Sequence, residues 1–268
     1  MSRNGPLALL YHTLFAIFVL APILVVCVVA FTPEGYLSFP TGGPSLRWFK
    51  TIGQYPEFLR AFWTSVWLGA LSSTFAILFS VPAALAFARY RFVGREALSA
   101  LLLSPLMIPH VVLGVAFLRF FTQVSLGGTF TGLVLAHIVI VLPFALRLTL
   151  TSATGLDRSI EQAAISLGAS DWIVFRRVTL PLILPGLASG WALAFINSFD
   201  EVTMTVFIAA PGTETLPVRM FLYIQDNIDP LVTSVSASVI AITMVALVLL
   251  DRFYGLERVL AGHSDRGR

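Results

Sequence analysis

The sequence predicts an all-α polytopic membrane protein of six transmembrane helices, with a polar helix-turn-helix between the fourth and the fifth. Three observations carry that reading. Of the 268 residues, 57% are hydrophobic and 12% charged, and the mean hydropathy is +0.88; an ordinary soluble domain carries about a quarter charged residues. Apolar runs long enough to cross a bilayer, about 20 residues each, recur along the whole length. The basic residues gather in alternate connections between those runs, as the positive-inside rule requires of a multi-span chain.

The first run, Leu7 to Phe31, follows only Arg3. It exceeds the apolar core of a cleavable signal, about 7–15 residues, and so reads as the first span, roughly 9–31. Cys27 lies within it as a small buried or lipid-facing hydrophobe; as the single cysteine it leaves neither a disulfide framework nor a cysteine metal site. Phe31–Gln54, rich in Gly and Pro, reads as an external loop with a short amphipathic piece around Ser45–Ile52. Spans two to four follow at roughly 62–88, 98–121 and 130–150, where Pro82, Pro105, Pro109 and Pro143 permit kinks if neighbours satisfy the freed carbonyls. Spans five and six are expected at roughly 183–208 and 231–250, and Gly262–Arg268 reads as a frayed polar tail. No linker or second composition regime interrupts the chain, so 1–268 is expected to be one transmembrane domain.

Orientation follows from charge. With the N-terminus inside, twelve of the 17 basic residues fall on the inner side, from Arg3 through Arg89, Arg91, Arg95, Arg147, Arg158, Arg176 and Arg177 to the C-terminal arginines. Four fall outside (Arg47, Lys50, Arg60 and Arg219), and Arg119 lies near the outer end of span three. Both termini and the polar segment 156–181 are therefore expected in the cytoplasm. The net charge of +3 is accounted for by this topology, with membrane lipid and no nucleic acid as the expected partner.

Much chemistry is excluded. A phosphate-binding loop needs G-x-x-x-x-G-K-[ST], and the one lysine, Lys50, follows Phe49. His12, His110, His137 and His263 are far apart and form no metal-ligand pair, and no nucleophile elbow or clustered carboxylate pair points to an enzyme. His110 and His137 fall in spans, where an ionisable group is a functional candidate; the ordinary reading of each is a neutral histidine bonded to a neighbouring helix.

The longest polar passage is "SIEQAAISLGASDWIVFRRVTLPLILPG", Ser159 to Gly186. Ile160, Ala163, Ala164 and Leu167 recur at i, i+3, i+4 and i+7, one face of a short helix made flat by its alanines. Gly168 tolerates positive φ and closes that helix or admits another backbone. Ser170 or Asp171 then caps a second short helix, Trp172 to Thr179, with the chain direction reset by Pro181 and Pro185. Gln162-Ala163-Ala164, Gly168 and Val178-Thr179-Leu180-Pro181 closely resemble the "EAA" motif of ABC importer permeases, E-A-A-x3-G-x9-I-x-L-P. Gln162 stands where the motif has Glu, with Glu161 one residue earlier, and Val178 where it has Ile. The resemblance implies a multi-pass subunit of the bacterial inner membrane that is not itself an enzyme. In it Glu161, Gln162, Ala163, Ala164, Leu167, Gly168, Ala169, Ser170 and Asp171 form a coupling segment on a separate ATP-binding subunit. Glu161 is the candidate to replace the motif glutamate in a salt bridge to that subunit. ATP and Mg would sit on two such partners, with no cofactor on this chain.

Span five carries a second signal, "WALAFINSFDEVTMTVFIAAPGTETLPVRMF" from Trp191 to Phe221. Asp200 and Glu201 lie about fifteen residues beyond Pro185, roughly 22 Å along the helix and in the outer half of the bilayer. Carboxylates there face a bundle interior or a watery path, or else hold the helix end and pair with an arginine such as Arg119. Trp191, Phe195 and Phe199 are spaced i, i+4 and i+8, with Asn197 and Asp200 three apart, a stripe able to pass an organic cation through cation–π and ionic contacts. Acidic Asp226 and Asp229 in the following external segment suit a cation or a docking surface, with solvated loop charge the ordinary reading of each. Phe199–Val202 with Pro211–Val218, "RYRF" at Arg89–Phe92 and "SPLMIP" at Ser104–Pro109 resemble the second permease of spermidine/putrescine-type importers. That resemblance implies a heterodimer with a homologous permease, a periplasmic substrate-binding protein and polyamine import by alternating access. Permeases for iron, sulfate, phosphonate or opines share the scaffold, and an ion-coupled secondary transporter is the reading from another class.

Overall fold

The computed structural model describes residues 5–254, which form helices joined by turns, with no strand among them. The expected polar tail at Gly262–Arg268 lies outside the described residues. Five helices are long and apolar enough to cross a membrane, and a bent helix pair supplies a sixth crossing if its two arms count as one span.

In chain order, α1 (Pro6–Val29) starts on proline, whose fixed φ and missing N–H suit a first turn. The short α2 (Arg47–Ile52) occupies the place of the expected amphipathic piece. After α3 (Pro56–Arg89) come α4 (Arg95–Leu103), a 3₁₀ turn at Ser104–Leu106 and α5 (His110–Gln123). The expected single third span is thus broken, and its arms meet at 99°. The cause lies in "SPLMIP": Pro105 falls in the 3₁₀ turn, Pro109 is the extended N-cap of α5, and neither offers an N–H to continue an α-ladder. Pro82 and Pro143, by contrast, sit inside the continuous α3 and α6 (Phe130–Thr154).

Next stand α7 (Arg158–Ser166), α8 (Asp171–Val174), a π-turn at Phe175–Thr179 and α9 (Leu180–Phe199). Here two expectations are corrected. The stretch from Asp171 to Phe199 runs as one 29-residue helix, so 172–179 is not a separate short helix and Pro181 and Pro185 do not reset the chain. Proline's φ is itself helical, and the π-turn just before Pro181 relaxes the hydrogen-bond ladder where its N–H is missing. The fifth span also ends at Phe199 rather than near residue 208, giving way to a break and the short α10 (Thr205–Ile208). Finally come α11 (Leu216–Asp226) and α12 (Leu231–Tyr254).

The described residues divide into two compact units, 5–59 with 220–249, and 60–219 with 250–254. In the first, Tyr223 packs edge-on against Tyr55 and Phe58, and the Ser234 hydroxyl donates to the Ala30 carbonyl at 3.1 Å. Asp229 accepts from the Tyr223 hydroxyl at 2.7 Å and from the Leu231 N–H at 2.9 Å, so its carboxylate satisfies the first N–H of α12. In the second, α6 lies along α9 because α9 presents Gly186, Gly190 and Ala194 four residues apart. A Cβ added at Gly186 would sit 2.4 Å from Ser152 Cβ, and one at Gly190 would sit 3.3 Å from the Ala145 carbonyl oxygen. Small residues at this spacing let two membrane helices approach backbone to backbone. The buried core here draws Leu68 from α3, Phe121 from α5, Ile140 from α6, Ala194 from α9 and Met204 from the break.

Candidate functional site

Two polar constructions stand out, one at each end of the long Asp171–Phe199 helix. The first is the segment around α7. Asp157 is its N-cap and accepts from the Ser159 N–H at 2.9 Å; that backbone bond holds the Asp157 carboxyl below the usual carboxylate range. At the other end Gly168 has φ +87°, its N–H bonds to the Ile165 carbonyl at 2.8 Å, and the Ala169 N–H reaches back to Ala164 at 3.1 Å. These are the two bonds of a Schellman closure, whose left-handed residue is glycine for steric reasons. A Cβ on Gly168 would meet nothing within 4 Å, so its backbone conformation, not crowding, sets the need for glycine. Ser170 is the N-cap of the next helix but makes no side-chain cap bond.

The expected flat face is on the surface. Gln162, Ala163, Gly168, Ser170 and Asp171 are exposed, Ala164 and Ala169 half-buried, and Leu167 is 89% exposed although its side chain is wholly apolar. Trp172, 65% exposed, extends this surface. Glu161 does not belong to it. Its Oε1 accepts from Arg89 Nη2 at the end of α3 and from the Thr179 hydroxyl in the π-turn, and Arg89 Nη2 also lies 3.2 Å from Thr179 Oγ1. The expectation that Glu161 replaces the motif glutamate toward a partner is therefore corrected: its carboxylate is buried and engaged within the chain. Adjacent helical residues point about 100° apart, so Gln162 keeps the outward position.

The second construction is the break after α9. Glu201 is buried; Oε1 accepts from the Met204 N–H at 2.7 Å, and Oε2 lies 2.6 Å from Nδ1 of His110, the first residue of α5. One carboxylate thus caps the break in the fifth span and ties it to the bend in the third. His137 of α6, fully buried, bonds the Ser198 hydroxyl at 2.8 Å and the Thr205 hydroxyl at 3.0 Å, bridging α9 to α10. Ionisable groups within spans require partners, but these partners lie 61 to 91 residues away along the chain, beyond the reach of any local pattern.

The aromatic stripe is present. Trp191 stacks on Phe195 at 5.3 Å between centroids, Phe195 lies tilted against Phe199 at 5.9 Å, and Phe199 meets Phe62 edge-on at 6.3 Å. Phe195 lies over Gly69 of α3, where an added Cβ would come within 3.0 Å of the ring, and the Trp191 indole donates to Thr74 at 3.1 Å. Asn197 returns its amide to the Leu193 carbonyl at 2.8 Å. The two neighbouring carboxylates are not equivalent, since Glu201 is committed to His110 and Met204 while Asp200 is exposed at the C-cap of α9.

Residues 76–256 match the family model described as the binding-protein-dependent transport system inner membrane component. The chain belongs to this family. The matched stretch contains both constructions, so the protein is a multi-pass inner-membrane transport subunit of the ABC permease type. It is similar to the spermidine/putrescine transport system permease protein PotC of Haemophilus influenzae, 30% identical over 92% of this chain and 94% of that one. The putrescine transport system permease protein PotI of Escherichia coli K12 is 29% identical over 83% of this chain and 82% of its own. A permease of Salmonella paratyphi A, PhnV, provisionally named for 2-aminoethylphosphonate, is 32% identical over 89% and 90%. The permease also shares its fold with a chain of a bacterial ABC transporter of alginate, with a TM-score of 0.72 over 95% of this chain at 15% identity.

Proposed function

We propose that this permease carries polyamines into the cytoplasm as one half of a heterodimeric membrane channel. The observation that supports the solute class most directly is the end-to-end similarity to the spermidine/putrescine permease PotC. The solutes named for all three relatives carry a primary ammonium group, and an exposed Asp200 beside the Trp191–Phe195–Phe199 row suits such a cation. In this reading Asp200, Trp191 and Phe199 touch the solute. Phe195 and Asn197 hold the stripe in place, and Glu201 shapes the break without meeting the solute.

Energy enters from outside the chain. Two ATP-binding subunits carry ATP and Mg, a homologous permease completes the pathway, and a periplasmic binding protein delivers the solute. Both termini lie in the cytoplasm, as does the α7 segment. Gln162, Ala163, Ala164, Leu167, Gly168, Ala169, Ser170 and Asp171 seat against one ATP-binding subunit. The apolar, 89% exposed Leu167 beside a left-handed glycine turn supports this, as a surface that remains costly until a partner covers it. The test is uptake of labelled spermidine by the complete complex in vesicles, with putrescine and 2-aminoethylphosphonate as competitors. ATP-dependent spermidine uptake that putrescine suppresses, and that Asp200→Asn weakens, is expected. Uptake of the phosphonate in preference to either amine overturns the solute assignment.

A further inference from the structure

The Arg89–Glu161–Thr179 cluster has a geometry that the docking face does not explain. Its three members come from three separate elements: the end of α3, the middle of α7, and the π-turn that opens α9. Glu161 is 72 residues from Arg89 and 18 from Thr179 along the chain, so the contacts are tertiary and not a consequence of local helix spacing. Both charged side chains are largely shielded, with 25% of Arg89 and 12% of Glu161 exposed. A charge pair at that depth is held by geometry and by its extra hydrogen bonds, here through the Thr179 hydroxyl, and not by simple attraction. A cavity of about 180 Å³ lies beside it, lined by Arg89, Glu161, Arg158 and Ala153. The segment is therefore not wedged in place by packing on that side.

We infer that Arg89, Glu161 and Thr179 form the positioning link through which displacement of α7 is passed to α3 and to the start of the fifth span. This rests on the reading of the α7 segment as the docking element. The π-turn gives the link something to move: its wider hydrogen bonds, followed by Pro181, interrupt the regular ladder of the 29-residue helix at the point where Thr179 sits. Glu161 grips that turn at its last residue. A push on the exposed Ala163–Leu167 face is then carried through one carboxylate to two membrane helices at once, while Gln162, next to it, stays free for the partner.

The test uses the complete complex in vesicles, with Arg89→Gln, Arg89→Lys, the double variant Arg89→Gln/Glu161→Gln, and Thr179→Val. The double variant is included because removing one partner leaves the other charge unpaired at depth, which by itself can unfold a protein. ATP hydrolysis and solute uptake are measured on the same preparation and expressed as solute moved per ATP. The expected result is an assembled complex that hydrolyses ATP but moves at least about fivefold less solute per ATP in the double variant, the low end of ordinary coupling energies. Thr179→Val is expected to lose less than the double variant, and Arg89→Lys to restore part of the ratio that Arg89→Gln loses. An unchanged ratio overturns the inference. So does a double variant that fails to assemble, or one in which hydrolysis and uptake fall together, since these outcomes make the cluster a structural tie alone. The docking reading is tested apart from this by Ala163→Asp on the exposed face: if that variant still co-purifies with the ATP-binding subunit and transports, the docking reading fails whatever the ratio in the other variants.

Discussion

Asp200 and Glu201 are neighbours in the sequence with the same charge, and the structure separates their roles sharply enough to measure. Glu201→Gln keeps an acceptor for the Met204 N–H but gives up the charge-assisted contact to His110. A hydrogen bond to a charged group contributes ~1.5–3 kcal/mol against ~0.5–1.5 for a neutral pair, so the loss is about 1 kcal/mol. Glu201→Ala removes both contacts and leaves the N–H of the fully buried Met204 without a partner, which costs ~1–3 kcal/mol more on top of the lost charged bond. The total is about 2.5–6 kcal/mol. Asp200→Asn alters an exposed helix-end group, where substitutions usually stay within ~0.5 kcal/mol. Thermal unfolding of the purified complex is then expected to rank wild type and Asp200→Asn together, Glu201→Gln lower and Glu201→Ala lowest. Vesicle uptake is expected to single out Asp200→Asn. A Glu201→Ala complex as stable as wild type that fails only in uptake would refute the reasoning and put the Glu201 carboxylate on the solute path.

Three further outcomes follow from particular contacts. Gly186→Ala places a methyl 2.4 Å from Ser152 Cβ, an overpacking expected to cost about 1–3 kcal/mol in thermal unfolding, with Gly186→Ala/Ser152→Gly recovering part of it. Gly168→Ala meets no atom but forces an L residue to φ +87°, so about 1–2 kcal/mol of local stability is expected to be lost, read as faster amide exchange at Gly168 and Ala169 sites. The Asp157 carboxyl is held below its ordinary range by the Ser159 N–H, so its cap is present above the unfolded carboxylate pKa and is lost as pH falls through the depressed value. Exchange at Ser159 is expected to accelerate on acidification through that window in the wild type, and that pH dependence is expected to be absent in Asp157→Ala.

Composition and charge already specified an all-helical chain with about six crossings, and local chemistry specified the Gly168 closure, because a left-handed helix end needs glycine wherever it occurs. What was hidden depended on partners distant in sequence. "SPLMIP" signalled a kink, but only the position of His110 against Glu201 shows that the third span breaks where the fifth does. Pro181 read as a stop because proline usually ends a helix, whereas the π-turn before it lets the helix continue. The adjacent Glu161 and Gln162 are equally polar in the sequence, and only Arg89, 72 residues away, shows which of them turns inward. "GLASG" at Gly186–Gly190 is a packing signal legible from spacing alone.

In the proposed function this chain moves solute only with energy received from an ATP-binding partner. Reconstituted vesicles containing both permeases, loaded with ATP and supplied with the binding protein, are compared with and without the ATP-binding subunits. Uptake is expected only with the subunits and ATP, insensitive to collapse of proton and sodium gradients. Uptake by the permeases alone, driven by either gradient, would contradict it.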